Sequence, residues 1–572
     1  MESSAYDVIV VGAGMAGLTA AAYTARAGLK VLLCDKEKNT GGLVNSFEYK
    51  GFVFDGGIRA IENSGIVAPM LRQLGLQVDF LPSPVSIGIG EDVVWIESKA
   101  SLTAYQALLE KHFPANKDDI AAIMREIVKI MGYMDVLYGI DNPLFMDLKR
   151  NPGYVFRTIL PWMLKYALTA PKIASLREPV EEYLTRFSAN QALIDMIAQH
   201  FFQKTPTHFA LSYFSLYLDY RYPRGGTGTL PQALERFVLD HGGEIRRETL
   251  ITSLDPGRRQ AVDDRGNVYQ YKKLVWAADQ KALYRIVNLA SVADRQAGER
   301  IRARKESLVG KVGGDSVLTV YLTVDMESSA FGRIASPHFF HTPSTAGLSQ
   351  VRLDELRMAG PESAAGLIAD RPRIEDWLKR YLEHTTYEIS CPVLRDHTLA
   401  PAGKTGLIVS SLFEYSLTKH IAALGWYDEF KQLVADHMIR VLDASIYPGL
   451  RAAVMDSFTS TPLTMERISG NSDGAITGWA FTNDVMPAVR SLPGVASSVL
   501  TPIPDVYQAG QWTYSPAGLP ISILTGKLAA DRVLKALAYA GLRPVKRRLA
   551  SQTRRPISRS RAGAAGFSSM VR

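Results

Sequence analysis

Apolar and polar positions follow two rhythms along the chain. Val8 to Val11 form an apolar run without alternation, which predicts a short strand buried on both faces. A helix of small residues follows, and Lys30 to Cys34 predict a second strand. "GGLVNSFEYKGFVFDGG" predicts a hairpin-like pair of segments ending at Asp55, Gly56 and Gly57. Helical spacing appears at Ile120, Ile123, Met124, Ile127, Met131 and Met134, with Asn116 as a cap and Asp118 and Asp119 in the first turn. Strands are predicted at "GEIRRETLITSL" and "YKKLVWAAD", around a polar turn at Asp263 to Asn267. "DSVLTVYLTVDM" and "TGLIVSSLFEY" predict further strands, with helices near 372–384 and 425–444. The stretch "VYQAGQWTYSPAGLPISILTGKLAADRVL" then returns to strand, glycine loop and small-residue helix.

One segment breaks both rhythms. Residues 154–176 are strongly apolar, carry Arg157, Lys165 and Lys172, and are interrupted by Pro161 and Pro171. Three readings compete: first a buried helix pair, then a surface dipping into a bilayer interface, then the wall of an apolar tunnel. The last two are compatible with one another.

Length and composition narrow the class. The chain has 572 residues, about three or four domain-sized units, and at 47% hydrophobic and 21% charged it reads as globular with a large core. The formal charge of +8 is uneven: nine basic residues and no acids lie from Gly541 onward, so the body is nearly neutral. That tail, 541–572, is expected to be disordered, either as a solvated extension or attracted to anionic lipid headgroups. Nucleic acid is not expected as a partner, because nothing else in the chain supports it. The two cysteines, Cys34 and Cys391, cannot build a disulfide framework and suit a reducing compartment. No Cys/His spacing suggests a metal. Met1 to Ala5 are short and polar, unlike a signal peptide, and no run reaches the roughly 20 apolar residues of a spanning helix.

The chemistry is concentrated at the start. Gly12, Gly14 and Gly17 give G-x-G-x-x-G directly after the first strand, and Asp35 ends the second. The glycines allow a tight turn, close backbone approach to a ligand, and close helix packing. A pyrophosphate suits the following helix N-terminus, and Asp35 is placed to accept from ribose hydroxyls. Strand, glycines, helix, strand and acid in that order predict dinucleotide binding.

"VIVVGAGMAGL", Asp35, "GGLVNSFEYKGFVFDGG", "YPRGGTGTLPQALERFV", "VWAAD", "SCPVLRDHTLAPAGK" and "AGQWTYSPAGLPISILTGKLAAD" occur in an order that resembles the FAD-dependent phytoene desaturase family, with retinol saturase and carotenoid isomerase among its members. The resemblance runs from about Tyr6 to Val533. It implies an α/β fold: a discontinuous Rossmann-type FAD-binding domain (1–98, 220–305 and 470–540), an inserted α+β substrate domain (99–219 and 306–469), and the basic tail. It implies FAD held by Gly12, Gly14 and Gly17 at the pyrophosphate and by Asp35 at the adenosine ribose, with Ala16 and Lys36 also binding the cofactor. Gly41 and Gly42 would pass the phosphates, and Ile251 would meet the adenine. Gly510, Gly518, Pro520 and Ile521 would lie against the ribityl chain and flavin ring. Two features depart from the pattern: Leu43 stands where many relatives have arginine, and "GGIRAIEN" with Gln511 is nearer in style to retinol saturase.

The polar residues expected to take part in chemistry are Arg59 and Asp396, with Glu62 and His397 as further candidates; no nucleophile is expected. The resemblance implies an oxidoreductase acting on CH–CH or C=C bonds of a lipophilic polyene isoprenoid, cytoplasmic and peripherally attached to a membrane. Phytoene-type desaturation is the default, and a retinol-saturase-like reductase or a flavin-dependent isomerase is the alternative. An amine oxidase or a non-enzymatic prenyl-binding protein is less favoured. Oligomeric state, acceptor and exact substrate stay open.

Overall fold

The computed structural model describes residues 4–358 and 366–537, so the expectation for the basic tail lies outside the described residues. Two seven-stranded sheets organise the molecule. The first sheet is built around Ser4–Val11, which pairs in parallel with Val31–Cys34 on one side and Val268–Trp276 on the other. Glu244–Arg246 extends it in parallel beyond Val31–Cys34. The long strand Val268–Trp276 divides its pairing. Its start is antiparallel to Gln260–Asp263, and its end runs parallel to Val506–Gln508. Segments from the beginning, middle and end of the chain thus share one sheet.

Helices cover this sheet as its apolar strands require. Val8, Ile9 and Val10 are fully buried. Met15–Arg26 packs on the sheet through Gly17, where an added Cβ would lie 1.8 Å from the Gly12 carbonyl oxygen. Leu519–Ala536 packs on that helix through Gly526, whose Cβ would meet the Ala16 carbonyl oxygen at 2.3 Å. Side chains at either glycine would force these layers apart.

The second sheet runs in the order Val454–Ser460, Ser316–Val324, Thr405–Phe413, Tyr387–Ser390, His338–Thr342, Val85–Ile89, Asp92–Ile96. Only the pairing of His338–Thr342 with Val85–Ile89 is parallel. The hairpin Val85–Ile96 therefore joins the second sheet, although its sequence position groups it with the nucleotide-binding segments. Arg371–His384 and Tyr427–Ser445 pack on this sheet through Trp377, Leu378, Phe430 and Val434. The helix Lys117–Tyr138 buries the apolar stripe read from its spacing, joined by Ile130.

The proline-broken segment is not a buried helix pair. It forms a π-helical turn, Val155–Ile159, continuing into the helix Leu160–Ala174. Phe156, Leu160, Met163, Leu164 and Leu168 are 69%, 49%, 53%, 68% and 67% exposed. Their spacing puts them along one helix side. The inner side is held by Trp162, whose indole N–H donates to the Val136 carbonyl at 2.6 Å and which stacks on Tyr166 at 5.1 Å. Periodicity marks an apolar face correctly but does not say what covers it. Among the described residues no helix is long and apolar enough to cross a membrane.

Candidate functional site

The carboxyl ends of the parallel strands open on one crevice, the usual place for a ligand in such sheets. After Val11 the chain turns through Gly12, at φ +99°, where a Cβ would press on the Ala277 carbonyl oxygen at 2.8 Å. After Cys34 comes Asp35. Its carboxylate accepts from the Ala13 N–H at 2.5 Å and the Glu37 N–H at 2.8 Å, leaving lone pairs for a further donor. Burial pushes its pKa up, against these two backbone donors.

The helix Met15–Arg26 begins at Gly14 without a side-chain cap, so its first N–H groups face the crevice free for an anion. Gly14 itself is informative. A Cβ there would meet no described atom nearer than Gly42 Cα, at 4.0 Å. The protein's own packing does not require glycine at this position, and the absence of a side chain there leaves the backbone open to a ligand. Gly41, bridged to Gly14, and Gly42 form the opposite bare edge. A flavin dinucleotide fits this cradle.

The crevice continues into a cavity of about 1000 Å³ reaching the second sheet. Its wall brings together Gly12, Gly14, Ala16, Asp35, Lys36, Gly41, Gly42, Arg59, Ile251, Gly510, Gly518, Pro520 and Ile521. Two residues expected at the site are elsewhere. Gly17 lies behind the wall, in the helix–strand contact. Asp396 is also off the wall. Its carboxylate accepts from the Gly225 N–H at 2.9 Å and from the N–H and hydroxyl of Thr398 at 3.1 and 2.7 Å, capping the turn His397–Leu399. It holds the loop after Arg221–Pro223 rather than facing a ligand, and His397 is exposed.

Arg59 does face the cavity. Its Nη1 donates to the carbonyls of Asp55, at 2.9 Å, and Gly57, and its Nη2 to Ser410 Oγ at 3.1 Å. Its buried Nε has no hydrogen-bond partner, which leaves one donor for a bound group. Lys36 donates to the Arg467 carbonyl and pairs with Glu37 at 2.6 Å. The Cys34 thiol, also on the wall, is pushed up to about 12 by burial and plays no nucleophilic part.

The far end of the cavity was not legible as a site in the sequence. Phe202, Phe209, Tyr213, Leu216 and Tyr220, with Tyr138 from the long helix, form an aromatic wall. Phe209, Tyr213 and Tyr217 follow one another edge to face at 5.6 and 5.4 Å. A side chamber of about 120 Å³ shares Phe202, Phe209, Tyr213 and Tyr220. Beside it stand His338, whose ring centroid lies 5.2 Å from that of Tyr220, and Glu388, which also lines the side chamber; they come from paired strands of the second sheet. His338 Nε2 lies 3.1 Å from Glu388 Oε1, though off the line of a good hydrogen bond. Burial pushes Glu388 up, but His338, Arg59 and Arg395 outweigh it and hold the carboxylate below its usual range. Burial lowers the His338 pKa.

Glu62 behaves oppositely. It lines the cavity beside Gly518, with no cation in contact among the described residues, and burial, with repulsion from Asp219, pushes it up to about 7. Asp315, half-buried near Glu414 and Glu181, is likewise pushed up to about 7, mainly by loss of solvent around its carboxyl. Both groups bind a proton in the folded protein at pH values where the unfolded chain has released it. Their contribution to stability is full below about pH 4 and is lost as pH rises through about 7. The urea midpoint should therefore fall between about pH 6 and pH 8, and Glu62→Gln should flatten that slope. A midpoint independent of pH across this range would contradict the assignment.

Glycine cradle, bare helix end and a cavity between two sheets define a dinucleotide-binding, Rossmann-type fold. Residues 10–74 match the NAD(P)-binding Rossmann-like domain family. The chain is 23% identical to the chloroplastic prolycopene isomerase of Daucus carota, over 95% of this chain and 82% of that protein. It is 21% identical to a 4,4'-diapophytoene desaturase of Staphylococcus aureus, over 92% and 98%. A 29% match to an inactive all-trans-retinol 13,14-reductase of Danio rerio covers 46% and 43%. Putrescine oxidase shares the fold, with TM-score 0.56 and 12% identity over 93% of this chain and 100% of that one. The chain is an oxidoreductase similar over nearly its whole length to carotenoid desaturases and isomerases.

Proposed function

We propose that the protein holds FAD in the glycine cradle and acts on CH–CH or C=C bonds of a lipophilic polyene isoprenoid, as a phytoene-desaturase-like enzyme. The observation that carries this reading is the continuity of the cavity: bare backbone at one end, aromatic rings at the other. When bound, the flavin accepts or returns a hydride. Gly12, Gly14, Ala16, Gly41 and Gly42 would seat the diphosphate, Asp35 and Lys36 the ribose, and Ile251 the adenine. Gly510, Gly518, Pro520 and Ile521 would lie along the ribityl chain and ring. Arg59 would polarise a bound group through its free Nε–H. The aromatic wall excludes water and offers ring faces to a conjugated or cationic substrate.

Reduction in the manner of retinol saturase, or redox-neutral isomerisation, is the second reading, favoured by the near full-length match to a prolycopene isomerase. FAD-loaded protein incubated with phytoene and with retinoids in liposomes separates the two. Substrate bleaches the oxidised flavin of a desaturase, whereas a saturase turns over only with reduced flavin. No spectral change with any polyene would overturn both.

The substrate's insolubility points to work at a membrane surface, cytoplasmic and peripheral, where the buried free thiols of Cys34 and Cys391 stay reduced. The exposed stripe from Phe156 to Leu168 is the contact, flanked by Arg157, Lys165 and Lys172. Each large side chain fully buried in lipid contributes about 1.5–3 kcal/mol. Leu164→Glu with Leu168→Glu should abolish liposome co-sedimentation while flavin content stays unchanged. Retention of full vesicle binding would remove the stripe from the reading.

A further inference from the structure

The cavity contains two carboxyl groups in contrasting settings. Glu388 is paired with His338 and lies in the field of Arg59 and Arg395. Glu62 has no such cation; the groups facing it are Asp219, itself accepting from the N–H groups of Asn63 and Ser64, and the phenols of Tyr138, Tyr213 and Tyr220. A Cβ built on Gly518 would lie 3.8 Å from Glu62 Oε1, so the carboxyl stands beside the backbone turn assigned to the flavin ring. Tyr213 and Tyr220 lie within the field of both carboxyls. Two carboxyls around one cavity, one held ionised and the other able to gain and lose a proton near neutrality, divide acid–base work between them.

We propose that Glu62 carries the proton that accompanies hydride transfer in this cavity, while Glu388 stays as a fixed anion facing the cationic carbon. The inference rests on the flavin-and-polyene reading above. In the oxidative direction one C–H bond breaks, and its hydrogen and both electrons go to the bound oxidised flavin. The neighbouring C–H bond then breaks, its electrons become the new C=C bond, and its proton goes to a Glu62 carboxylate oxygen and on to solvent. In the reductive direction Glu62 returns the proton to carbon. Glu388 balances the positive carbon between these events and exchanges no proton itself.

The test uses flavin-loaded wild type, Glu62→Gln and Glu388→Gln. Infrared spectra across about pH 5–9 should contain protonated-carboxyl C=O absorption that titrates near neutrality, contributed by Glu62 and Asp315; Glu62→Gln should lose the Glu62 part and keep that of Asp315, and Glu388→Gln should keep both. Equal flavin content and melting temperature establish that the variants are folded. With a polyene in liposomes, single-turnover conversion by Glu62→Gln should fall by about 10²-fold or more. Polyene binding, read from flavin fluorescence quenching, should be unchanged. An unchanged carboxyl band in Glu62→Gln, or conversion at the wild-type rate, overturns the role of Glu62 and leaves the substrate reading standing. No conversion of any polyene by wild type overturns the substrate reading and this role with it.

Discussion

Gly14→Leu should leave the fold intact and remove the flavin. The glycine sits at φ −69°, a conformation open to any residue, and a Cβ there touches nothing closer than 4.0 Å. The apoprotein should therefore unfold within about 0.5 kcal/mol of wild type. A leucine side chain would occupy the space of the diphosphate and block the free N–H groups of the helix end. Flavin affinity should drop by about 10²-fold or more, equivalent to about 2.7 kcal/mol, and the purified variant should be colourless. Gly17→Val is the contrasting control. Its side chain would collide with the Gly12 carbonyl oxygen, so stability itself should fall by about 3 kcal/mol or more. A Gly14→Leu protein that keeps full flavin content would remove the diphosphate from this turn.

Asp55→Ala should be the most damaging single change away from the cradle. The Asp55 carboxylate is fully buried and accepts from Tyr222 Oη at 2.8 Å, Ser46 Oγ at 2.8 Å, and the N–H and hydroxyl of Thr227, both at 2.9 Å. Its carbonyl also receives Arg59. One residue thus ties the hairpin Ser46–Asp55, the strand Arg221–Pro223 and the following glycine turn to the arginine of the cavity wall. Alanine would leave buried donors unpaired, at a cost of about 3–5 kcal/mol. Asparagine should cost less, because one acceptor oxygen survives. Urea unfolding of both variants tests the ranking. Wild-type stability in Asp55→Ala would mean that the donors find partners elsewhere.

How much of this was readable in advance depends on the kind of signal. The cradle was legible because glycine is demanded by backbone geometry and ligand approach, both local to Gly12, Gly14 and Gly42. Asp396 misled because an acid beside a histidine in a polar patch looks like chemistry, whereas a short helical turn also needs a capping carboxylate. His338 and Glu388 were invisible because strand pairing brings them together across fifty residues of chain. Tyr213 and Tyr220 look like ordinary core aromatics until the cavity beside them is seen. The stripe on Leu160–Ala174 was legible as apolar, but water, protein and lipid all impose the same helical period.

The pairing of Val506–Gln508 with Val268–Trp276, and the seating of Leu519–Ala536 on the first helix, has a consequence during biosynthesis. The ribosome makes the glycine turn some five hundred residues before the strand and helix that pack behind it. Nascent chains that stop short of Leu519–Ala536 lack this layer behind the glycine turn, so the cradle is complete only after that helix has been made.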